Sequence, residues 1–140
     1  MKSIFIILAA AMLLAAVEEP VWNTSIPDAI TNANGKIVFV LFSGSDWCSD
    51  CIKLKKNVID TEAFSAYAKE NLILVSIDFP KNKKLPDDLR RANAEAKSNY
   101  NVRGYPTAIV LSPDGSIAGR ITGSKGTPDE YVQKIIALKK

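Results

Sequence analysis

Ile37-Val38-Phe39-Val40-Leu41-Phe42-Ser43-Gly44-Ser45-Asp46-Trp47-Cys48-Ser49-Asp50-Cys51 is the stretch that decides the fold. Its first six residues form an unbroken apolar run, rich in β-branched and aromatic side chains. Such a run predicts a central strand covered on both sides. Ser43 to Asp46 is a small, polar break. Beyond it, Cys48, Cys51, Ile52, Leu54, Val58 and Ile59 recur at three-to-four spacing, with Lys53, Lys55 and Lys56 on a wet face. That pattern is helical. Cys48 and Cys51 are the only cysteines in the chain. Two thiols three residues apart can close a disulfide reversibly, and at a helix start the first is also activated as a nucleophile.

The pattern extends in both directions from this stretch. Trp22 to Pro27 reads as an extended lead-in. A short helix follows, opened by Ser25 or Pro27 and stopped by Asn34-Gly35. After the cysteine helix, Asp60 or Thr61 caps a further helical segment through Phe64 and Ala68. Leu72 to Ile77 is a second buried strand, closed by Asp78. Phe79 to Leu85 is a basic loop, and Asp87 starts a helix with Leu89, Ala92 and Ala96 aligned. Thr107 to Leu111 and Ser116 to Thr122 are strands joined by the turn Ser112-Pro113-Asp114-Gly115, hence a hairpin. Thr127-Pro128-Asp129-Glu130 opens a last helix with a proline and acidic residues in its first turn. Its apolar face carries Tyr131, Ile135 and Leu138. The early alternation predicts a right-handed βαβ crossover and a parallel strand pair. The late hairpin adds antiparallel strands. The fold class is α/β, a central mixed β-sheet flanked by helices on both faces.

Composition narrows the chemistry. A chain of 140 residues suffices for one domain with a real core. A net charge of +3, with both signs interspersed, argues against nucleic acid as a partner. Histidine is absent, which removes Ser-His and Cys-His catalysis and the commonest metal ligand. Two cysteines cannot close a four-ligand zinc site within one chain from Cys and His, so no metal is expected. The remaining alternatives are a thiol pair shared between two chains, metal carriage by the thiols, and a static disulfide. So short a disulfide loop stabilises little.

Lys2 followed by the apolar run Ile4–Val17 fits a signal peptide over residues 1–17, with cleavage near Ala16. The run is shorter than the span of about 20 residues a membrane helix needs. An uncleaved anchor is the alternative. Either reading exports the domain, residues 18–140, to a periplasmic or secreted location where disulfides form.

Trp47-Cys48-Ser49-Asp50-Cys51 after a buried strand, with Gly104-Tyr105-Pro106-Thr107 before a hairpin, resembles the thioredoxin superfamily. The surrounding Phe42 to Cys48 and Lys53-Leu54 are similar to the small exported bacterial thioredoxin-like disulfide reductases and isomerases. The resemblance runs from about Trp22 to Lys140 and implies the thioredoxin fold. It implies that Cys48 is the nucleophile and Cys51 the resolving thiol. It implies that Pro106 is a cis-proline facing them, that Tyr105 offers its backbone to an extended substrate, and that Trp47 shapes the docking surface. No bound cofactor is implied beyond the Cys48–Cys51 disulfide. The implied partners are exported protein substrates and a membrane thiol–disulfide electron donor. With no added domain, a monomer is expected.

Two departures from the family pattern matter. Many thioredoxins bury an Asp and a Lys beneath the resolving cysteine. Counting along this chain puts Phe42 and Leu74 at those positions, both apolar. Asp46, Asp50 or water are the candidate substitutes in the proton path. Asp46, Ser49 and Asp50 are also the residues expected to tune the thiols. Negative charge opposes the Cys48 thiolate, and a less stabilised thiolate makes a weaker oxidant. Strong oxidants of the superfamily carry His before the second cysteine, where Asp50 stands here. The expectation is therefore a thiol–disulfide oxidoreductase acting as reductase or isomerase rather than oxidase. The alternatives are a dedicated reductant for one client such as an apocytochrome, or a non-catalytic binding or chaperone module gripping chains along Tyr105-Pro106. The segment Phe79 to Ala96 either serves a groove or redox partner or is neutral surface.

Overall fold

Five strands form one sheet in the order β1-β3-β2-β4-β5 in the computed structural model, which describes residues 18–139. The expected signal peptide, residues 1–17, lies outside the described residues. The strands are β1 (Trp22–Asn23), β2 (Ile37–Ser43), β3 (Leu72–Asp78), β4 (Thr107–Leu111) and β5 (Ile117–Thr122). The unbroken apolar run at 37–42 takes the middle of the sheet, because only there are both faces covered. β2 pairs parallel with β3, Ile37 against Leu72 through Ser43 against Asp78. On its other side β2 pairs antiparallel with β4, and β4 with β5. β1 extends the sheet beyond β3 by two residues, where a side-chain amide, Asn23 Nδ2, also donates to Leu74 O at 3.0 Å.

The helices are α1 (Ile26–Thr31), α2 (Ser49–Leu54), α3 (Glu62–Asn71), α4 (Asp87–Asn99) and α5 (Pro128–Leu138). One face of the sheet carries α1 and α4 over Val38, Val40, Phe42, Val75 and Ile77. The other carries α2, α3 and α5 over Phe39, Leu72, Leu74 and Val110. Phe39 anchors that second core, with the rings of Phe64 and Tyr131 set edge-on at 5.7 and 6.2 Å. Each such fully buried side chain contributes about 1.5–3 kcal/mol relative to exposure.

Local sequence accounts for the helix ends. Ser25 and Thr61 cap α1 and α3 through their hydroxyls, and Thr127 with Glu130 forms a capping box on α5. Asn34 and Gly35 take positive φ after α1, where a side chain beyond Asn or Gly is strained. Two details differ from the sequence expectation. The cysteine helix passes at Lys55–Ile59 into a π turn, closed by Asp60 N donating to Lys55 O at 2.8 Å. In α4 the buried residue is Asn93, while Ala92 is exposed. Asn93 Nδ2 donates to the Asp78 carbonyl at 3.0 Å, so a polar tie to the end of β3 outweighs a methyl group.

Candidate active site

Cys48 is the N-cap of α2. Its backbone is extended, and its Sγ accepts from the Cys51 amide at 3.3 Å. A sulfur therefore stands where serine or aspartate oxygen usually caps, among unpaired amides and at the positive end of the peptide dipoles. α2 itself is short, so the local amides matter more than any long helix. Cys48 is half-buried and Cys51 is 4% exposed, and the two are joined as a disulfide with Cα atoms 5.2 Å apart. One sulfur can thus meet another protein while its partner stays within reach behind it.

Across from the pair runs the loop ahead of β4. The Tyr105–Pro106 peptide is cis, and the Tyr105 carbonyl oxygen lies 3.7 Å from Cys48 Sγ. Pro106 is buried. The loop is braced on several sides. Thr107 Oγ1 donates to Gly104 O at 2.7 Å, and Gly123 N donates to Pro106 O at 3.1 Å. Arg120 reaches from β5 to the carbonyls of Tyr100 and Asn101.

Trp47 is 39% exposed, so it belongs to the surface beside the thiols rather than to the core. Its ring lies against Gly44, where a Cβ would collide with the indole. Its Nε1 donates to Phe79 O at 2.7 Å. Its edge meets Tyr105 at 6.0 Å between centroids, and Phe79 stacks on Tyr105 at 5.2 Å. Trp47, Tyr105 and Phe79 form a continuous aromatic wall next to Cys48.

Residues 28–139 match the thioredoxin-like domain. The chain belongs to the thioredoxin-like family. It is 32% identical over 100 residues to the disulfide bond reductase DsbH of Chlamydia pneumoniae, across 71% of this chain and 60% of that protein. It is 27% identical over 94 residues to the thioredoxin-related protein DsbJ of the same organism, across 66% of this chain and 27% of that one. The chain thus spans about 60% of the length of the first relative and about a quarter of the second. Among solved structures, the DsbH oxidoreductase superposes with a TM-score of 0.80 at 28% identity, covering 86% of this chain and 85% of that one. A thioredoxin from Thermus thermophilus superposes at 0.64 with 21% identity, covering 86% and 88%, a likeness of fold. In this thioredoxin-like domain the redox group is the cysteine pair itself.

Several expected site residues sit differently from the sequence reading. Asp46 accepts from the amides of Lys81 and Asn82 at 3.0 and 2.9 Å. The Lys81 amide, foremost, holds its carboxyl below the usual carboxylate range. Asp46 is thereby an anchor for the loop after β3. Ser49 is exposed. Asp50 is exposed on the first turn of α2, 3.4 Å from Ser124 Oγ and 3.9 Å from Lys53 Nζ.

Phe42 does not lie beneath the resolving thiol. It packs on the α1–α4 face, whereas Leu54, one turn on from Cys51, packs on the other. Alternation along a strand makes a one-residue offset a change of face. The neighbouring β2 residue on the α2 face, with Ile37 and Phe39, is Leu41, and its register partner is Ser76 rather than Leu74. By alternation from Leu72 and Leu74, Ser76 brings a hydroxyl to that face.

The sequence offered Phe79 to Ala96 only as a groove, a partner surface or neutral surface; the individual contacts of Asp78, at the end of β3, and of Phe79 just after it were missed. Asp78 accepts from Ser45 N and Ser45 Oγ at 3.0 and 2.6 Å and pairs with Lys83 at 3.7 Å. Phe79 completes the aromatic wall. The available signal was an aromatic residue directly after the aspartate that closes β3. Among the described residues, no group of three or more His, Cys, Asp or Glu is placed to hold a metal.

Proposed function

We propose that the protein is an exported thiol–disulfide oxidoreductase that reduces, or isomerises, disulfides in exported proteins. The observation that carries this is the placement of Cys48 Sγ, held by the Cys51 amide and facing the Tyr105 carbonyl. Cys48 is the nucleophile, Cys51 the resolving thiol, and Tyr105–Pro106 the edge along which an extended substrate adds as a strand. Trp47 shapes the approach. In the reduced protein the Cys48 thiolate attacks a substrate disulfide, forming a mixed disulfide and releasing one substrate thiolate. The Cys51 thiolate then attacks Cys48 Sγ and releases the second. The substrate gains two electrons and two protons, and the protein is left with Cys48–Cys51 closed. A membrane thiol–disulfide carrier returns the electrons.

Reduction is favoured over oxidation by Asp50, whose charge sits in the first turn of α2, and by the likeness to a disulfide bond reductase. The export reading rests on Lys2 and the apolar run at 4–17, with residues 18–140 as the mature domain. Reduction of insulin by the protein with dithiothreitol tests the reaction. The wild type should accelerate it, and Cys48→Ser should not. If the wild type failed to accelerate it and Cys48→Ser kept full biological activity, the protein would instead be a binding module. Recovery of active ribonuclease from its scrambled form measures the isomerase share.

A further inference from the structure

The loop after β3 places ammonium groups against the aromatic wall. Lys81 Nζ lies 3.9 Å from the centre of the Trp47 ring. Lys97, from α4, lies 5.4 Å from the Tyr105 ring and 5.9 Å from that of Phe79. Contacts of this kind hold a long side chain over a ring face while its charge stays available. The same loop and α4 enclose a cleft of about 520 Å³, lined by Lys81, Lys83, Lys84 and Arg90 among others.

The nearby carboxylates leave much of this charge uncompensated. Asp46 is occupied by backbone amides, and Asp78 faces Ser45 and Lys83. Arg90 pairs with Asp87. Among the described residues, no carboxylate oxygen lies within the 4.0 Å ion-pair distance of Lys81, Lys84 or Lys97. Lys81 stands over the residue adjoining Cys48. Lys97 stands over the residue whose carbonyl faces it. A chain crossing Tyr105 on its way from Cys48 therefore passes close to two ammonium groups.

We propose that this cationic rim selects substrates, favouring cysteines flanked by aspartate or glutamate in extended segments. The inference rests on the reductase reading above and adds a substrate class to it. A site lined by one sign of charge speeds encounter with the opposite sign, and salt weakens the effect.

The test uses three peptides, each carrying one cysteine as a mixed disulfide with glutathione. The three residues on either side of the cysteine are Asp, Ser or Lys. Rate constants for reduction by the dithiol protein are measured at low and at 1 M salt. The acidic peptide should react about tenfold or more faster than the basic one at low salt. The two rates should converge to within about twofold at 1 M. In Lys81→Glu/Lys84→Glu/Lys97→Glu the order should reverse, with the Ser peptide reporting that thiol chemistry survives. Equal rates for acidic and basic peptides in the wild type would overturn the charge selection alone. So would an acidic preference that persists after charge reversal. Failure to reduce any of the three would sink the reductase reading, and the selection with it.

Discussion

The indole N–H of Trp47 donates to the carbonyl oxygen of Phe79 at 2.7 Å, joining the residue before Cys48 to the loop that leaves β3. The bond seats a large ring at the surface in one orientation. Gly44 makes the seat possible, since any side chain there would occupy the indole's place. Lys81, tied through its amide to Asp46, covers the ring's face. The surface beside the thiols thus joins segments more than thirty residues apart in the chain.

Replacing Trp47 with Phe keeps a ring but removes the donor. The net hydrogen bond is worth about 1 kcal/mol, and the contact with Lys81 about 0.5–1 kcal/mol. Stability in a urea titration should fall by about 1–2 kcal/mol. Limited proteolysis should find new cleavage between residues 79 and 86. Unchanged stability and an intact loop would show that the bond does not hold the segment.

Acid should release the same loop through Asp46. The fold favours its ionised form, so the carboxyl titrates below its ordinary value of 3.8. The stability this brings is present above that value and is lost as pH falls through the folded one. An Asp46→Asn variant has one acceptor oxygen and no such titration. In thermal melts the wild type should be the more stable near pH 7, and the gap should narrow below about pH 4. A gap constant from pH 2 to 7 would contradict the anchor role.

Tyr131 offers a test of the core. Its ring packs edge-on to Phe39 and Phe64, yet its hydroxyl is buried and, among the described residues, has no hydrogen-bond partner. An unpaired buried hydroxyl costs about 1–3 kcal/mol. Tyr131→Phe should therefore be neutral or stabilising by about 1 kcal/mol. Burial also pushes the phenol well above its ordinary value of 10.0. Stability from the neutral form is present below that value and is lost as pH rises, a loss the Phe variant should escape. Destabilisation by more than about 1 kcal/mol would reveal a partner for the hydroxyl.

The two cysteines should behave asymmetrically. Cys51→Ser should accumulate a mixed disulfide with substrate through Cys48, visible by mass spectrometry under non-reducing conditions. Cys48→Ser should accumulate none, because Cys51 is buried. Equal trapping by both variants would remove the distinction between nucleophile and resolving thiol.

Much of this architecture is legible in the residues alone. The run at 37–42 announces its central position because it is apolar on both faces, and the hairpin announces itself through Ser112-Pro113-Asp114-Gly115. β1 does not, because two residues, Trp22 and Asn23, carry no periodicity and owe their pairing to β3. The π turn at Lys55–Ile59 is invisible for a related reason. Its apolar residues keep helical spacing closely enough that the extra residue leaves no mark. Counting from the motif misplaced Phe42, since a count along the chain does not preserve the face of a strand. The cysteine pair, Pro106 and Tyr105 were legible through the family pattern. The contacts of the loop after β3 were not, because its anchors are backbone amides, a carbonyl and ring faces, none of which sequence displays.

The reduction potential of the Cys48–Cys51 pair tests the central claim most directly. It is measured by equilibrating the protein with graded ratios of reduced to oxidised glutathione or dithiothreitol and trapping the thiols. With Asp50 within the motif, the expected value lies toward the reducing end of the family's range, below about −200 mV. A value above about −150 mV would make the protein an oxidant and contradict its reading as a reductase.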